Sequence, residues 1–249
     1  MTTLTLGYRN APEHAAVAAA VARVLEAHDM EPEYVTGPDQ ALTEMLESGE
    51  LDVFATAWLP SVDAAWVSET VEARGDLYRP TFCCCVADTP ELAGVASLSD
   101  LAASSASRNL LVPASVLPRV RQMVGSYGLT EAGFTIEAQP DEEAFEALAA
   151  AFAAGEPVVA ALFAPNFLLH RYALRTLNDP RGALGGEQTA QLLINRSRAE
   201  RLDSDLLDEL DELTLGNRVV SALDDAVRHG GMTADDAAEA WQRGRLLPR

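Results

Sequence analysis

Lysine is absent from this chain. All 18 basic residues are arginine, they face 38 Asp and Glu, and the formal net charge over 249 residues is −20. A surface this acidic repels phosphate backbones and anionic lipid, which excludes nucleic acid and membrane surfaces as partners. The excess reads as a solubility or high-salt adaptation, or as GC-rich coding, rather than as an interaction tail. Long apolar runs are missing as well, and none reaches the roughly 20 residues of a membrane span. The opening MTTLTLGYRN has neither the basic n-region nor the apolar h-region of an export signal. The expected location is therefore conditional. It is extracytoplasmic or membrane-associated if a signal was removed, and cytoplasmic if the sequence is complete as given.

Catalytic signatures are missing too. There is no G-x-S-x-G, H-E-x-x-H, P-loop or G-x-G-x-x-G. The four histidines, 14, 28, 170 and 229, do not fall at metal-ligand spacing. No catalytic residue, metal or cofactor is expected. Cysteine is confined to one run, Cys83-Cys84-Cys85. Neighbouring cysteines cannot build an ordinary disulfide framework. On a strand the outer two face one way and the middle one the other. The run reads as a tightly packed buried strand, with a metal site or a catalytic thiol as the alternatives.

What is present is an alternation of strand and helix signals. Leu4–Tyr8 reads as a strand. Asn10 stands as an N-cap, with Pro12 in the first turn and Glu13 at the third position of a helix running to about His28. Glu33–Thr36 reads as a strand and Asp39–Ser48 as a helix closed by Gly49. Leu51–Ala57 reads as a buried strand, and Ser61 opens a further helix to about Ala73. This β-α order predicts a doubly wound α/β sheet. Leu77–Ala87 reads as an extended crossing into a second α/β lobe. That lobe has strands at Asn109–Val112, Phe134–Ala138 and Pro157–Phe163, and helices at about Ser115–Tyr127 and Asp141–Ala154. Gln191–Asn195 reads as the return crossing, and the chain is helical from Leu202. The expected organisation is a discontinuous first lobe of residues 1–86 and 190–249 and a second lobe of residues 87–189. Two lobes with two crossings imply a hinge and a ligand cleft.

Aromatic residues stand at the strand exits: Tyr8 after the first strand, Trp58 after the third, and Phe163 after the long strand of the second lobe. Strand exits in α/β sheets are where ligands bind. Aromatic faces hold a quaternary ammonium by cation–π attraction, each worth about 0.5–2 kcal/mol. Trp58 is followed by Leu59-Pro60, which forces a turn and puts the ring at the sheet edge. The N-terminus of the helix after Asn10 offers backbone N–H groups to a carboxylate.

Four segments carry a family resemblance. They are LGYRNAPEHAAVAAAVARVLEAHDMEPEYV, GELDVFATAWLP, PVVAALFAPNFLLHRYALRTLNDP and DDAAEAWQRGR, and together they span residues 6 to 243. In this order they resemble the substrate-binding proteins of glycine betaine and proline betaine ABC transporters. The resemblance implies a two-lobe α/β fold of type II periplasmic-binding-protein kind, with two hinge crossings and a C-terminal helical segment. It implies a protein that takes a small betaine, choline or related ligand and passes it by cleft closure to an ABC permease and its ATPase; the chain is expected to be a monomer. Carried over by residue, Trp58 matches a cage tryptophan, and Phe163 stands where the family has Trp in a Trp-x-Pro-His pattern. Asn166 stands where that His would be. Tyr8 and Asn10 lie in a loop that often lines the pocket. One departure is Val112-Pro113-Ala114-Ser115-Val116, which replaces a Gly-rich loop whose amides meet the ligand carboxylate. The expected ligand-binding residues are Trp58, Phe163, Tyr8, Asn10 and Asn166. The alternatives are a cytosolic sensor or scavenger on the same fold, and an enzyme using Cys83–Cys85.

Overall fold

The structure, a computed structural model, describes residues 2–248. In chain order the elements are β1 (Thr2–Tyr8), α1 (Pro12–Ala27), β2 (Met30–Thr36), α2 (Asp39–Ser48), β3 (Val53–Leu59), β4 (Val71–Tyr78) and β5 (Thr81–Ala87). They continue with β6 (Asn109–Pro113), α3 (Leu117–Ser126), β7 (Thr135–Gln139), α4 (Asp141–Ala153), β8 (Val159–Ala164), α5 (Phe167–Arg171) and β9 (Leu174–Thr176). Last come β10 (Thr189–Asn195), α6 (Arg196–Ala199), α7 (Ser204–Glu212), α8 (Asn217–Arg228) and α9 (Ala234–Gln242). The chain forms two compact units. One joins the residues up to Pro80 with those from Gln188 onward, and the other is Thr81–Glu187.

In the first unit the sheet order is β2-β1-β3-β10-β4. The first three strands are parallel, and β10 is antiparallel to both its neighbours. Each face has its own core. On one side α1 packs with Leu4, Leu6, Val53, Ala55 and Ile194. The buried alanines of α1, from Ala16 to Ala22, keep the helix thin enough to touch α8 and α9 as well as the sheet. Alanine is also the strongest helix former, so packing and propensity agree here. On the other side Leu42 and Leu46 of α2 meet Phe54, Ala57, Trp66 and Leu193. Each fully buried leucine is worth about 1.5–3 kcal/mol of hydrophobic stabilisation. Gly49 closes α2 at φ 79°, a conformation glycine takes without a Cβ clash.

The second unit has β5 central in a β8-β5-β9 antiparallel sheet, with parallel β6-β7 beside it. Phe82, Cys84 and Val86 face one core; Cys83 and Cys85 face the other. All three thiols are free and buried.

Three expectations need correction. The segment from Ser61 to Ala73 is not a helix: a short 3-10 turn at Ala64–Trp66 leads into β4. The Asp63 carboxylate binds Trp58 and Arg9 instead of capping a helix, and the stretch from Val71 onward pairs along the sheet edge beside β10. The extended stretch Leu77–Ala87 is two strands broken at Arg79-Pro80. Since β5 pairs with β8 and β9, residues 81–86 belong to the second unit. Asn10 is not the N-cap of α1; that position is Ala11, which makes no side-chain cap bond. A tight turn in which Ala11 N–H donates to the Arg9 carbonyl at 2.7 Å leaves Asn10 exposed.

Candidate functional site

Parallel pairing puts the C-terminal ends of β1 and β3, and so Tyr8 and Trp58, at one edge of the first sheet. Strand alternation by itself would turn Trp58 toward α2, the side Phe54 faces. It does not. Gln191 pairs with Ala57 and Leu193 with Phe54, so β3 spends one more residue than β10 over the same span. The extra residue marks a β-bulge, and Thr56 there takes φ 73°. Beyond the bulge the sides exchange: Ala57 and Leu59 join the α2 core, while Trp58 packs against the α1 core. β4 also bulges opposite Gln191, where Gly75 takes φ 69°. Trp58 and Tyr78 end up flanking Ala190 on either side. Over that small residue Trp58 Nε1 donates to Tyr78 Oη at 3.1 Å.

Below them lies a buried polar group. His14 Nδ1 meets Thr56 Oγ1 at 2.6 Å, and the imidazole lies 5.7 Å from the Trp58 ring. Burial pushes the His14 pKa down and outweighs the charges of Glu13 and Asp63. The ring is therefore neutral at pH 7. Burial likewise raises the Tyr78 phenol, against the bonds from Trp58 and Thr56. It stays a neutral hydroxyl.

The Trp58 backbone is clamped as well. Its N–H donates to Asp63 Oδ2 at 2.6 Å, and its carbonyl accepts the Asp63 N–H at 2.9 Å. Leu59-Pro60 is a cis peptide. The turn tip is held by Gln188 Oε1, which accepts from Ser61 N and Oγ at 2.9 and 2.8 Å. Arg9 ties the edge together. It donates to Asp63 at 2.6 and 3.2 Å and to Asp39 at 3.0 and 3.1 Å, and its guanidinium stacks on Trp66 and Phe54. Burial pulls the Arg9 pKa down, but the two carboxylates more than offset this and raise it. One arginine against two aspartates leaves this cluster with a net charge of −1, favourable to a cation nearby.

Tyr8 makes an edge contact with Tyr34, centroids 5.7 Å apart, and Tyr34 Oη donates to Asp235 at 2.9 Å. Asn10 makes no side-chain hydrogen bond among the described residues. In the second unit Phe163 ends β8, tilted against Phe82 at 5.4 Å. Here too a cis peptide follows, Ala164-Pro165. Asn166 is buried, and its Oδ1 accepts from Leu168 N at 3.0 Å as the N-cap of α5.

The sequence reading missed His14, Thr56, Tyr78, Arg9, Asp63 and Gln188. One signal was available: Arg9 directly follows Tyr8 at the end of β1, and an arginine at a strand exit needs an acid. A cavity of about 450 Å³ lies at the other edge of the first sheet, by Thr2, Met30, His28 and Arg201. No Phe, Tyr or Trp lines it, so it offers a quaternary ammonium no cage. Among the described residues no cluster of His, Cys, Asp and Glu is suited to a metal ion.

This fold is the two-lobe α/β architecture of periplasmic-binding-protein-like solute-binding proteins. The lactococcal protein OpuAC, closed on glycine betaine, superposes with TM-score 0.78 at 17% identity over 98% of this chain and 96% of that one. The glycine betaine, L-proline-binding protein ProX of Borrelia burgdorferi gives 0.73 at 17% over 100% and 97%. An ABC-transporter choline-binding protein in complex with choline gives 0.71 at 16% over 97% and 88%. At these identities the likeness is one of fold. No curated protein matches the sequence. The chain belongs to the family of substrate-binding domains of ABC-type glycine betaine transport systems, whose family model matches residues 2–243. As such it is a solute-binding protein for quaternary-amine osmolytes, serving an ABC permease and ATPase. Binding proteins of ABC importers are extracytoplasmic or membrane-associated. No helix among the described residues is long and apolar enough to cross a membrane.

Proposed function

We propose that the chain binds a betaine-like osmolyte through Trp58 and Tyr8 of the first unit and Phe163 of the second, and releases it to the permease after closing around it. The observation that carries this reading is the fixing of Trp58. Its backbone is held by Asp63 and its ring nitrogen by Tyr78, beside a cluster of net negative charge. A ring fixed before the ligand arrives loses little entropy on binding, so more of the cation–π attraction appears as affinity. Tyr8 is the second wall. Asn10 is a polar donor beside it. Asn166 has its carbonyl oxygen on Leu168, so its part is to hold the segment that follows Phe163. No bond is made or broken in this function. An export signal removed from a longer precursor would bring the protein to the outer side of the membrane.

Calorimetry with glycine betaine tests the reading. Trp58→Ala is expected to weaken binding at least about tenfold, as loss of one desolvated cation–π face worth about 2 kcal/mol implies. Unchanged affinity in that variant refutes the role of Trp58.

A further inference from the structure

Arg119 differs from the arginines that brace the fold. Arg9, Arg74, Arg198 and Arg228 are paired with carboxylates, and Arg108 and Arg175 donate to backbone carbonyls. Arg119 is half-buried and has neither a hydrogen bond nor an ion pair among the described residues, in a chain with 38 acidic side chains. What it does have is a platform. The guanidinium carbon lies 5.2 Å from the Phe163 ring centroid and 5.9 Å from that of Phe82. Its Nη1 also runs close to Gly185, where a Cβ would sit only 3.5 Å away. The two rings support the plane of the guanidinium while its N–H fork stays unengaged. A stacked, preoriented fork of this kind matches a carboxylate in two parallel hydrogen bonds.

The backbone before α3 is short of donors for the same job. Pro113 has no N–H, and the Ser115 N–H already donates to Asp141 Oδ1 at 3.0 Å. The charges of the two candidate sets are also opposite. The Arg9, Asp39 and Asp63 cluster near Trp58 sums to −1, and Arg119 beside Phe163 carries an uncompensated +1.

We infer that Arg119 reads the carboxylate of the ligand, with Phe163 as its stacking platform, and so selects a quaternary-ammonium zwitterion over an alcohol with the same ammonium head. The inference rests on the quaternary-amine reading above and adds the chemistry of the ligand's other end. Calorimetry with glycine betaine and with choline, on the wild type, Arg119→Gln and Arg119→Lys, tests it. The wild type is expected to bind glycine betaine at least about tenfold more tightly than choline, the lower range for charge-assisted hydrogen bonds. Arg119→Gln is expected to lose at least about tenfold for glycine betaine, with choline affinity unchanged or raised. Arg119→Lys keeps the charge without the fork, and is expected to fall between for glycine betaine while leaving choline unchanged. Melting curves report the folding of each variant, and a merely structural role would weaken both ligands together. Equal losses for both ligands, or none, overturn the inference and leave the quaternary-amine reading standing. Failure of the wild type to bind either ligand overturns both.

Discussion

Asp63→Asn separates a buried clamp from a surface ion pair. The Asp63 side chain is 4% exposed and accepts three short contacts, one from Trp58 N and two from Arg9. Asn presents one carbonyl oxygen and an NH₂ group, so one of those donors then faces another donor. A hydrogen bond to a charged group is worth about 1.5–3 kcal/mol, and breaking a buried pair costs about 3–5 kcal/mol. Arg9 keeps Asp39, which places the loss near the lower end, about 3 kcal/mol. For a chain of this size that is a fall in Tm of about 6–12 °C. Asp39→Asn is the control. It touches the same arginine, but its carboxylate is 57% exposed, and a surface pair is worth at most about 1 kcal/mol. Urea unfolding monitored by tryptophan fluorescence measures both. If Asp63→Asn destabilises no more than Asp39→Asn, burial does not set the strength of this clamp and the argument for a fixed Trp58 fails with it.

The pH dependence of stability carries a second expectation. The folded-state pKa of His14 lies below its unfolded value because burial disfavours the imidazolium. Below about pH 6.5 the unfolded chain binds a proton there that the folded chain does not, so this residue's contribution to stability falls as the pH drops through 6.5 toward the folded value. Urea midpoints from pH 7.5 to 5 should decline less steeply in His14→Asn than in the wild type, and parallel declines would contradict the assignment. A third concerns the thiols. Cys84 is raised by burial, and Cys85 by its bond with Cys83 and by burial, so neither is a thiolate at pH 7. The same bond lowers Cys83, against burial, but its sulfur is covered. A disulfide-exchange reagent should label none of the three in the native protein at pH 7 and all three in urea. Rapid native labelling of Cys83 would revive a chemical role for it.

The sheet of the first unit was legible because its signals are local and agree with one another. Leu4 to Tyr8, the alanine-rich helix after Pro12 and the glycine at 49 each specify one element, and their order leaves a parallel β2-β1-β3 arrangement as the simple outcome. The exits at Tyr8 and Trp58 then fall together without any long-range information. Ser61–Ala73 failed for the converse reason. Its spacing suits a helix, but the fate of Asp63 is decided by Arg9, more than fifty residues away in sequence. Arg119 was invisible in the same way, since nothing near it in the chain announces Phe163 or Phe82. The cysteine run was legible to the level of which sulfur faces which core, because strand alternation is local.

The side on which Trp58 lies depends on one residue that composition does not mark. An L-residue other than glycine at φ near +70° costs about 1–3 kcal/mol and persists only where its surroundings hold it. At Thr56 that hold is visible: the hydroxyl bonds to His14, and the strand is pinned on both sides of the bulge by β10. The bulge turns Trp58 away from α2 and brings its ring nitrogen to Tyr78. Without it, strand alternation would put Trp58 among Phe54, Trp66 and Leu46, and the exit of β3 would present Ala57 and Leu59 on the α1 side instead. In the site proposed above, His14, Thr56 and Tyr78 would act without touching a ligand, since they fix which face of the sheet the tryptophan occupies. That gives the buried, neutral His14 a structural part in placing the strand.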